Sequence, residues 1–498
     1  MRIGVSEGSA YGKLMIIIGA LIAVPLSVLL FYPEEAEYAF SFLVPSIISL
    51  ILGTLVLFIS KKKKNSLNRE YAKPKAAGRI VLFVWLWGCL LGAVPFHLGE
   101  QLTGIQSLFE SVSGWTTTGL TLSDVTVMPK IFLFYRSFTQ FCGGLGFVLV
   151  MVMIVAGKQA MNLFEGEGHT DKLMPNLKKT ARTIFTMYTG FLVIGVILYR
   201  LAGMPVFEGI LHTMSALSTA GFSSKMGSIG EYGSVAIELV TIFLMLIGIT
   251  NFGVLMHCIK GKFRQVIKLS EIRFMLFFLL ALISMVALSL YFQNGMGIFE
   301  SIMGAAFNTL SALSTTGYST LDIGVYSSFA LGVIIVAMLV GGGMGSTAGG
   351  LKLMRACILT KMLLSNIRKK VNNRRQVDTL YYTRLQGKTR IDDAFLSDIT
   401  GFTITYFVIY IIGSLLLCLT AGCGLEEGLF EFAAAFSTSG LSIGVTGVDT
   451  PPLALIVQIV GMILGRLEIF IVLTGIFSLI GRSKEIVDKG ISKITSHE

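Results

Sequence analysis

Charge is scarce in this 498-residue chain, with Asp, Glu, Lys and Arg making up only 14% of it. Soluble domains average about 25%. With 53% hydrophobic residues and a mean hydropathy of +0.76, too little polar surface remains to coat a globule. Two or three ordinary soluble domains are thereby excluded. Histidine is scarcer still, at five copies without ligand spacing. The six cysteines (Cys89, Cys142, Cys258, Cys357, Cys418 and Cys423) form no CxxC pair and fall mostly inside apolar runs. There cysteine acts as a small hydrophobe, so neither a disulfide framework nor a metal cluster is expected. No paired histidines and no nucleophile–base set appear, which argues against an enzyme. Interleaved aromatic and basic residues are missing too, so no nucleic-acid partner is expected.

Long apolar runs, by contrast, are abundant. Leu14 to Tyr32 and Tyr38 to Ser60 carry no charge, and each approaches or exceeds the ~20 residues that span a bilayer core. The first run holds Pro25 and lacks a convincing small-residue cleavage site, so it is expected to be retained. Further runs centre on 80–96, 131–156, 183–203, 239–259, 274–292, 323–351, 399–421 and 452–479. The expected fold class is all-α integral membrane, with ten transmembrane helices. Only helices of this length satisfy every backbone hydrogen bond in lipid, and the runs are too long for barrel strands.

The net charge of +11 is sorted by side. Lys61–Lys64, then Lys158, Lys172, Lys178, Lys179 and Arg182, then Lys260, Lys262, Arg264, Lys268 and Arg273 occupy alternate junctions. The richest stretch, 352–394, adds Lys369, Lys370, Arg374, Arg375, Arg384, Lys388 and Arg390. The opposite loops hold Lys130 and Lys225 among acids such as Glu34, Glu35, Glu37, Glu110, Glu426, Glu427 and Glu431. By the positive-inside rule both termini are expected in the cytoplasm, with the chain in the inner (plasma) membrane.

Glycine is over-represented, at 55 residues, and its placement is informative. The opposite-side loops read Ser113-Gly-Trp-Thr116-Thr117-Thr118-Gly119, Ser215-Ala-Leu-Ser218-Thr219-Ala220-Gly221, Ser311-Ala-Leu-Ser314-Thr315-Thr316-Gly317 and Ala434-Ala-Phe-Ser437-Thr438-Ser439-Gly440. The glycines Gly119, Gly221, Gly317 and Gly440 stand 102, 96 and 123 residues apart. Each copy lies between an outbound and an inbound span. The repeating unit is helix–re-entrant pore loop–helix, used four times in pseudo-fourfold array around one pore. Stripping water from a cation requires replacement oxygens, and backbone carbonyls facing an axis supply them. Extended backbone is tolerated at membrane depth only where it lines a cavity or is buried in protein. Segments such as Leu108–Trp115 and Phe307–Leu313 read as half-membrane helices whose negative dipole ends face the cation.

These loops resemble those of the TrkH/KtrB/HKT superfamily of potassium transporters, over roughly residues 77–482. Further segments strengthen the likeness: Gly92–Phe96, Arg136–Gly146, Gly341–Lys352 and Gly465–Phe470. The two additional N-terminal spans resemble the TrkH branch more than the KtrB branch. The resemblance implies a homodimer of protomers, each with its own pore. It also implies a cytoplasmic TrkA-like regulatory ring that carries the nucleotide, leaving no cofactor in this chain beyond potassium as substrate. The expected filter is Thr116–Gly119, Ser218–Gly221, Ser314–Gly317 and Ser437–Gly440. Glycine at the first filter position, Gly119, is similar to the potassium-selective members; serine there goes with sodium.

The expected divisions are residues 1–76 (two extra spans), 77–158, 159–260, 261–362 and 363–482 (four pore repeats) and 483–498 (a cytoplasmic tail). Gly341, Gly342, Gly343, Gly345, Gly349 and Gly350 crowd the third inbound span. Each glycine costs a helix roughly 1 kcal/mol against alanine. With Ser346, Thr347 and Lys352, the segment reads as a mobile gating loop; the alternative is a glycine-rich packing face. Its fit to GxGxxA carries no weight, since no strand precedes it. Arg466 is a lone charge at membrane depth. It is expected to face the pore as an electrostatic barrier, to bind the gating loop or to pair with Glu468. Arg136 is expected to brace a pore helix through Glu110. The function expected is potassium uptake through a gated, channel-like pore, with potassium symport coupled to protons or sodium as the alternative.

Overall fold

The structure, a computed structural model, describes residues 5–62, 74–99, 102–146, 177–371, 379–467 and 469–477. Lys63, Lys64, Lys158, Lys172, Arg374, Arg375, Glu468 and the tail 483–498 lie outside these residues, as does the later part of the expected 131–156 span.

Two helices, α1 (Val5–Ala23) and α2 (Ala39–Lys62), open the chain. They cross closely because Gly12, Gly19 and Gly53 present no Cβ: one placed on Gly12 would meet Gly53 O at 2.8 Å. Small residues at a crossing let membrane helices approach this way. Four units of one plan follow. In the first, the long helix α3 (Pro74–Gly99) leads to the short α4 (Gly104–Trp115), a loop, and α5 (Lys130–Leu145). The second has α6 (Leu177–Leu201), the short α7 (Val206–Leu217), α8 (Val235–Ile249) and α9 (Phe252–Ile259). After the single turn α10 (Phe263–Val266), the third has α11 (Ser270–Phe292), α12 (Ile298–Leu313) and α13 (Ser328–Val340). Helix α14 (Leu353–Val371) and the antiparallel hairpin β1 (Tyr381–Arg384) and β2 (Gly387–Arg390) lead to the fourth. That unit has α15 (Asp393–Ala421), α16 (Leu425–Phe436), α17 (Pro452–Arg466) and α18 (Ile469–Phe477).

The outer faces are apolar and, among the described residues, uncovered. Phe58 is 69% exposed, Phe277 76%, Leu280 66% and Leu419 80%. Only hydrocarbon solvent makes such faces inexpensive. Among the described residues six helices are long and apolar enough to cross a membrane, and eight if two bent pairs count as single spans. The chain is an all-α, multi-pass membrane protein.

The helices after the short elements differ from the expected unbroken spans. The expected span 239–259 is two helices, α8 and α9, bent by 116°. Asn251 causes the break by starting a new helix: its side-chain oxygen accepts from Gly253 N at 2.6 Å, an N-cap that a hydropathy window does not register. Helix α13 stops at Gly341, whose φ of 67° and ψ of −163° leave the helix. Helices α17 and α18 meet at 103°. The short elements are also longer than the segments picked from sequence. Helix α4 extends back to Thr103, which caps it reciprocally with Gln106, and α12 extends back to Ile298.

Candidate functional site

The short helices α4, α7, α12 and α16 all end alike. The residue after each stays right-handed: Thr116, Ser218, Ser314 and Ser437, with φ between −80° and −73°. The next is a threonine in the left-handed region: Thr117 (φ 58°), Thr219 (53°), Thr315 (53°) and Thr438 (56°). A β-branched residue there is a genuine outlier, costing about 1–2 kcal/mol each. The turn is nevertheless closed by two reversed backbone bonds, the usual left-handed helix ending. In the first loop, Thr117 N donates to Gly114 O at 3.1 Å and Thr118 N to Ser113 O at 2.9 Å. The third loop repeats this with Thr315 N to Ala312 O and Thr316 N to Ser311 O. Two residues after each threonine, Gly119, Gly221, Gly317 and Gly440 have φ of 91°, 79°, 85° and 78°.

The four loops meet. A Cβ on Gly119 would lie 2.0 Å from Ala220 O, and one on Gly221 2.2 Å from Thr316 O. One on Gly317 would lie 2.1 Å from Ser439 O, and one on Gly440 1.9 Å from Thr118 O. Each glycine therefore abuts the carbonyl before the next glycine, in cyclic order, and the ring closes on itself. Above it lies a cavity of about 510 Å³ lined by all four glycines. The Thr117, Ser437, Thr438 and Ser439 hydroxyls are buried without a hydrogen-bond partner among the described residues. Asp124, on the first loop near this vestibule, has its carboxyl held below the usual range by the Thr126 hydroxyl and N–H.

Sequence reasoning missed a second ring. Nine residues before each glycine stand Glu110, His212, Asn308 and Glu431, all fully buried. Each ties its short helix to the loop segment beyond its own glycine. Glu110 accepts from Thr121 Oγ1 at 2.9 Å and Leu122 N at 3.0 Å. His212 Nε2 hydrogen-bonds Ser223 Oγ at 3.0 Å. Asn308 Oδ1 accepts from Thr320 N at 3.1 Å. Glu431 accepts from Ser442 Oγ at 2.7 Å and Thr446 N at 3.0 Å. The shared signal is the nine-residue offset alone, since the side chains differ. Arg136 binds Glu110 at 2.8 Å, donates to Thr121 Oγ1 at 2.7 Å and lies over the Phe222 ring at 3.9 Å. It has the bracing position expected of it.

The segment Gly341–Lys352 forms an irregular loop on the helix-end side of the ring. Gly343 N donates to Ile249 O at 2.9 Å, and Phe252 N to Gly345 O at 3.2 Å. Thr347 Oγ1 donates to Leu217 O at 2.9 Å, and Gly349 N to Thr315 Oγ1 at 2.7 Å. A Cβ on Gly349 would meet Ser437 O at 2.1 Å, so the loop touches three of the four turns. Gly341, Gly342 and Gly350 close the loop's neck, where Gly342 N donates to Gly349 O at 3.3 Å. Ser346 Oγ donates to Gly343 O at 2.6 Å. Lys352 Nζ donates back to Ala348 O within the same loop. Arg466 donates to Thr347 O at 2.7 Å and to Gly143 O at 2.5 Å. The expected contact with the loop is made; Glu468, the other partner expected for it, lies outside the described residues.

A multi-pass helical membrane protein whose four short helices end on one closed ring of turns is the class defined here. The chain belongs to the TrkH family, described as cation transport proteins, which matches residues 46–483. It is 30% identical over 471 residues to an uncharacterized cation transporter of Methanocaldococcus jannaschii, covering 93% of each chain. It is 29% identical over 459 residues to the Trk system potassium uptake protein TrkG of Escherichia coli K12, covering 90% of this chain and 92% of that one. The crystal structure of the potassium transporter TrkH from Vibrio parahaemolyticus superimposes with a TM-score of 0.81 at 26% identity, over 94% of this chain and 98% of that one.

Proposed function

We propose that this chain takes potassium into the cell through a channel-like pore whose filter is the ring of four Thr–Gly turns. The closed cyclic contact of each glycine with the next loop's carbonyl carries this reading. Such a ring brings carbonyls together, an arrangement that is repulsive when empty and favourable around a dehydrated cation. The adjoining C-terminal ends of four short helices add negative potential there. The strain of four left-handed threonines, about 4–8 kcal/mol together, is comparable with a domain's whole stability. Retaining it is intelligible where a site is held for function. The potassium uptake named for the similar Trk proteins supports the choice of ion.

The Gly341–Lys352 loop is the gate in this reading, since it lies against the turns at Leu217, Thr315 and Ser437 and is held by Arg466. A homodimer and a cytoplasmic nucleotide-binding ring complete the proposal. The exposed strand Gly387–Arg390 offers basic residues to such a partner. The deciding experiment uses purified protein in liposomes, with potassium and sodium gradients imposed separately at controlled potential. Potassium current that reverses at the potassium equilibrium potential is expected. A reversal potential that moves with the proton or sodium gradient would instead establish coupled symport.

A further inference from the structure

Glu431 holds its own loop through Ser442, Ile443 and Thr446. Its surroundings differ from those of its counterpart Glu110. Gly143 of α5 packs on Trp115 O and Gly465 of α17 on Phe436 O, so that added Cβ atoms would fall 2.0 and 1.8 Å away. These glycines are equivalent points in the first and fourth units. Counting back seven residues from each gives Arg136 in one and Gln458 in the other. Gln458 is fully buried, donates from Nε2 to Thr446 Oγ1 at 2.8 Å, and leaves its Oε1 unpartnered among the described residues. The first unit therefore pairs a carboxylate with a guanidinium, while the fourth sets a neutral amide in the guanidinium's place.

Glu431 meets only donors: Ser442 Oγ at 2.7 Å, Thr446 N at 3.0 Å and Ile443 N at 3.3 Å. These donors favour the ionised form of the carboxyl, which its full burial opposes. Among the described residues no lysine or arginine forms an ion pair with it. Its partner Ser442 lines the vestibule beside Gly440. A charge buried one residue behind that wall acts through low dielectric and is weakly screened by salt. We infer that Glu431 is a specificity-determining residue, whose uncompensated charge sets the affinity of the ring's vestibule end for the cation. The inference rests on the filter reading above.

Potassium-concentration dependence of flux in liposomes tests it, using Glu431→Gln, Gln458→Arg and, as a control on the filter itself, Gly119→Ser. Gln458→Arg restores the first unit's pairing and leaves the carboxylate in place. Both Glu431→Gln and Gln458→Arg are expected to raise the half-saturating potassium concentration by about three- to twenty-fold. A loss of maximal flux at unchanged half-saturation would mark a merely structural residue and overturn the inference. Should Glu431→Gln not fold, Gln458→Arg decides: unchanged half-saturation in a stable variant overturns it. If Gly119→Ser alters ion selectivity while the other two leave affinity unmoved, the filter stands and this inference falls. If Gly119→Ser also has no effect, the filter reading itself fails.

Discussion

Threonine rather than glycine occupies the left-handed position of all four turns, at Thr117, Thr219, Thr315 and Thr438. Glycine would remove the strain but also the hydroxyl, and Thr315 uses its own to receive Gly349 N. The true glycines two residues on are constrained by space as well as by φ. Gly119→Ser would drive a side chain into Ala220 O, 2.0 Å from the new Cβ, and must displace the second loop. Its potassium-over-sodium selectivity in flux assays should fall; unaltered selectivity would refute the filter assignment. Arg136 sits in a buried pair with Glu110. Removing one partner of such a pair costs about 3–5 kcal/mol, because the remaining charge is left uncompensated. Arg136→Met should therefore lower the thermal midpoint markedly, and adding Glu110→Gln should recover much of the loss.

At the scale of elements, the broken helices are the main finding. A half-length helix of 12 residues, as in α4 and α7, reaches about 18 Å, which brings its end inside the membrane. The loop Gly341–Lys352 lies against these ends. Deleting 343–349 should raise basal flux, measured in liposomes without any partner; normal expression with unaltered flux would remove the gate from the proposal. Arg466→Gln loses the bonds to Thr347 O and Gly143 O and should raise basal flux in the same direction. The turns were legible from sequence because a short motif recurs in one topological slot. The ring of Glu110, His212, Asn308 and Glu431 was not, because its members share an offset but not one residue type. The bend at Asn251 escaped because hydropathy counts apolar length, whereas the cap is one polar side chain inside it.

For the whole molecule, a ring that holds the cation, as proposed, would make stability depend on the ion. A cation bound only by the folded ring stabilises it by mass action, by about 2.7 kcal/mol at one hundred times Kd. Potassium should raise the thermal midpoint in detergent more than sodium does at equal ionic strength. Equal shifts would show a salt effect without a selective site. The membrane environment is equally a whole-molecule property, visible in faces such as those of Phe277 and Leu280 that no other part of the described chain covers.

Composition and local pattern alone determined that this is a helical membrane protein with four equivalent turns and a glycine-rich interruption. Those features follow from solvent, helix length and backbone sterics, all of which act over a few residues. Ring closure needed the tertiary structure, since it joins Thr118 to Gly440 and Ala220 to Gly119. So did the contact of Arg466 with Thr347 O and the contrast between Arg136 and Gln458. Each is a contact between segments far apart in the chain, and packing rather than sequence proximity selects it.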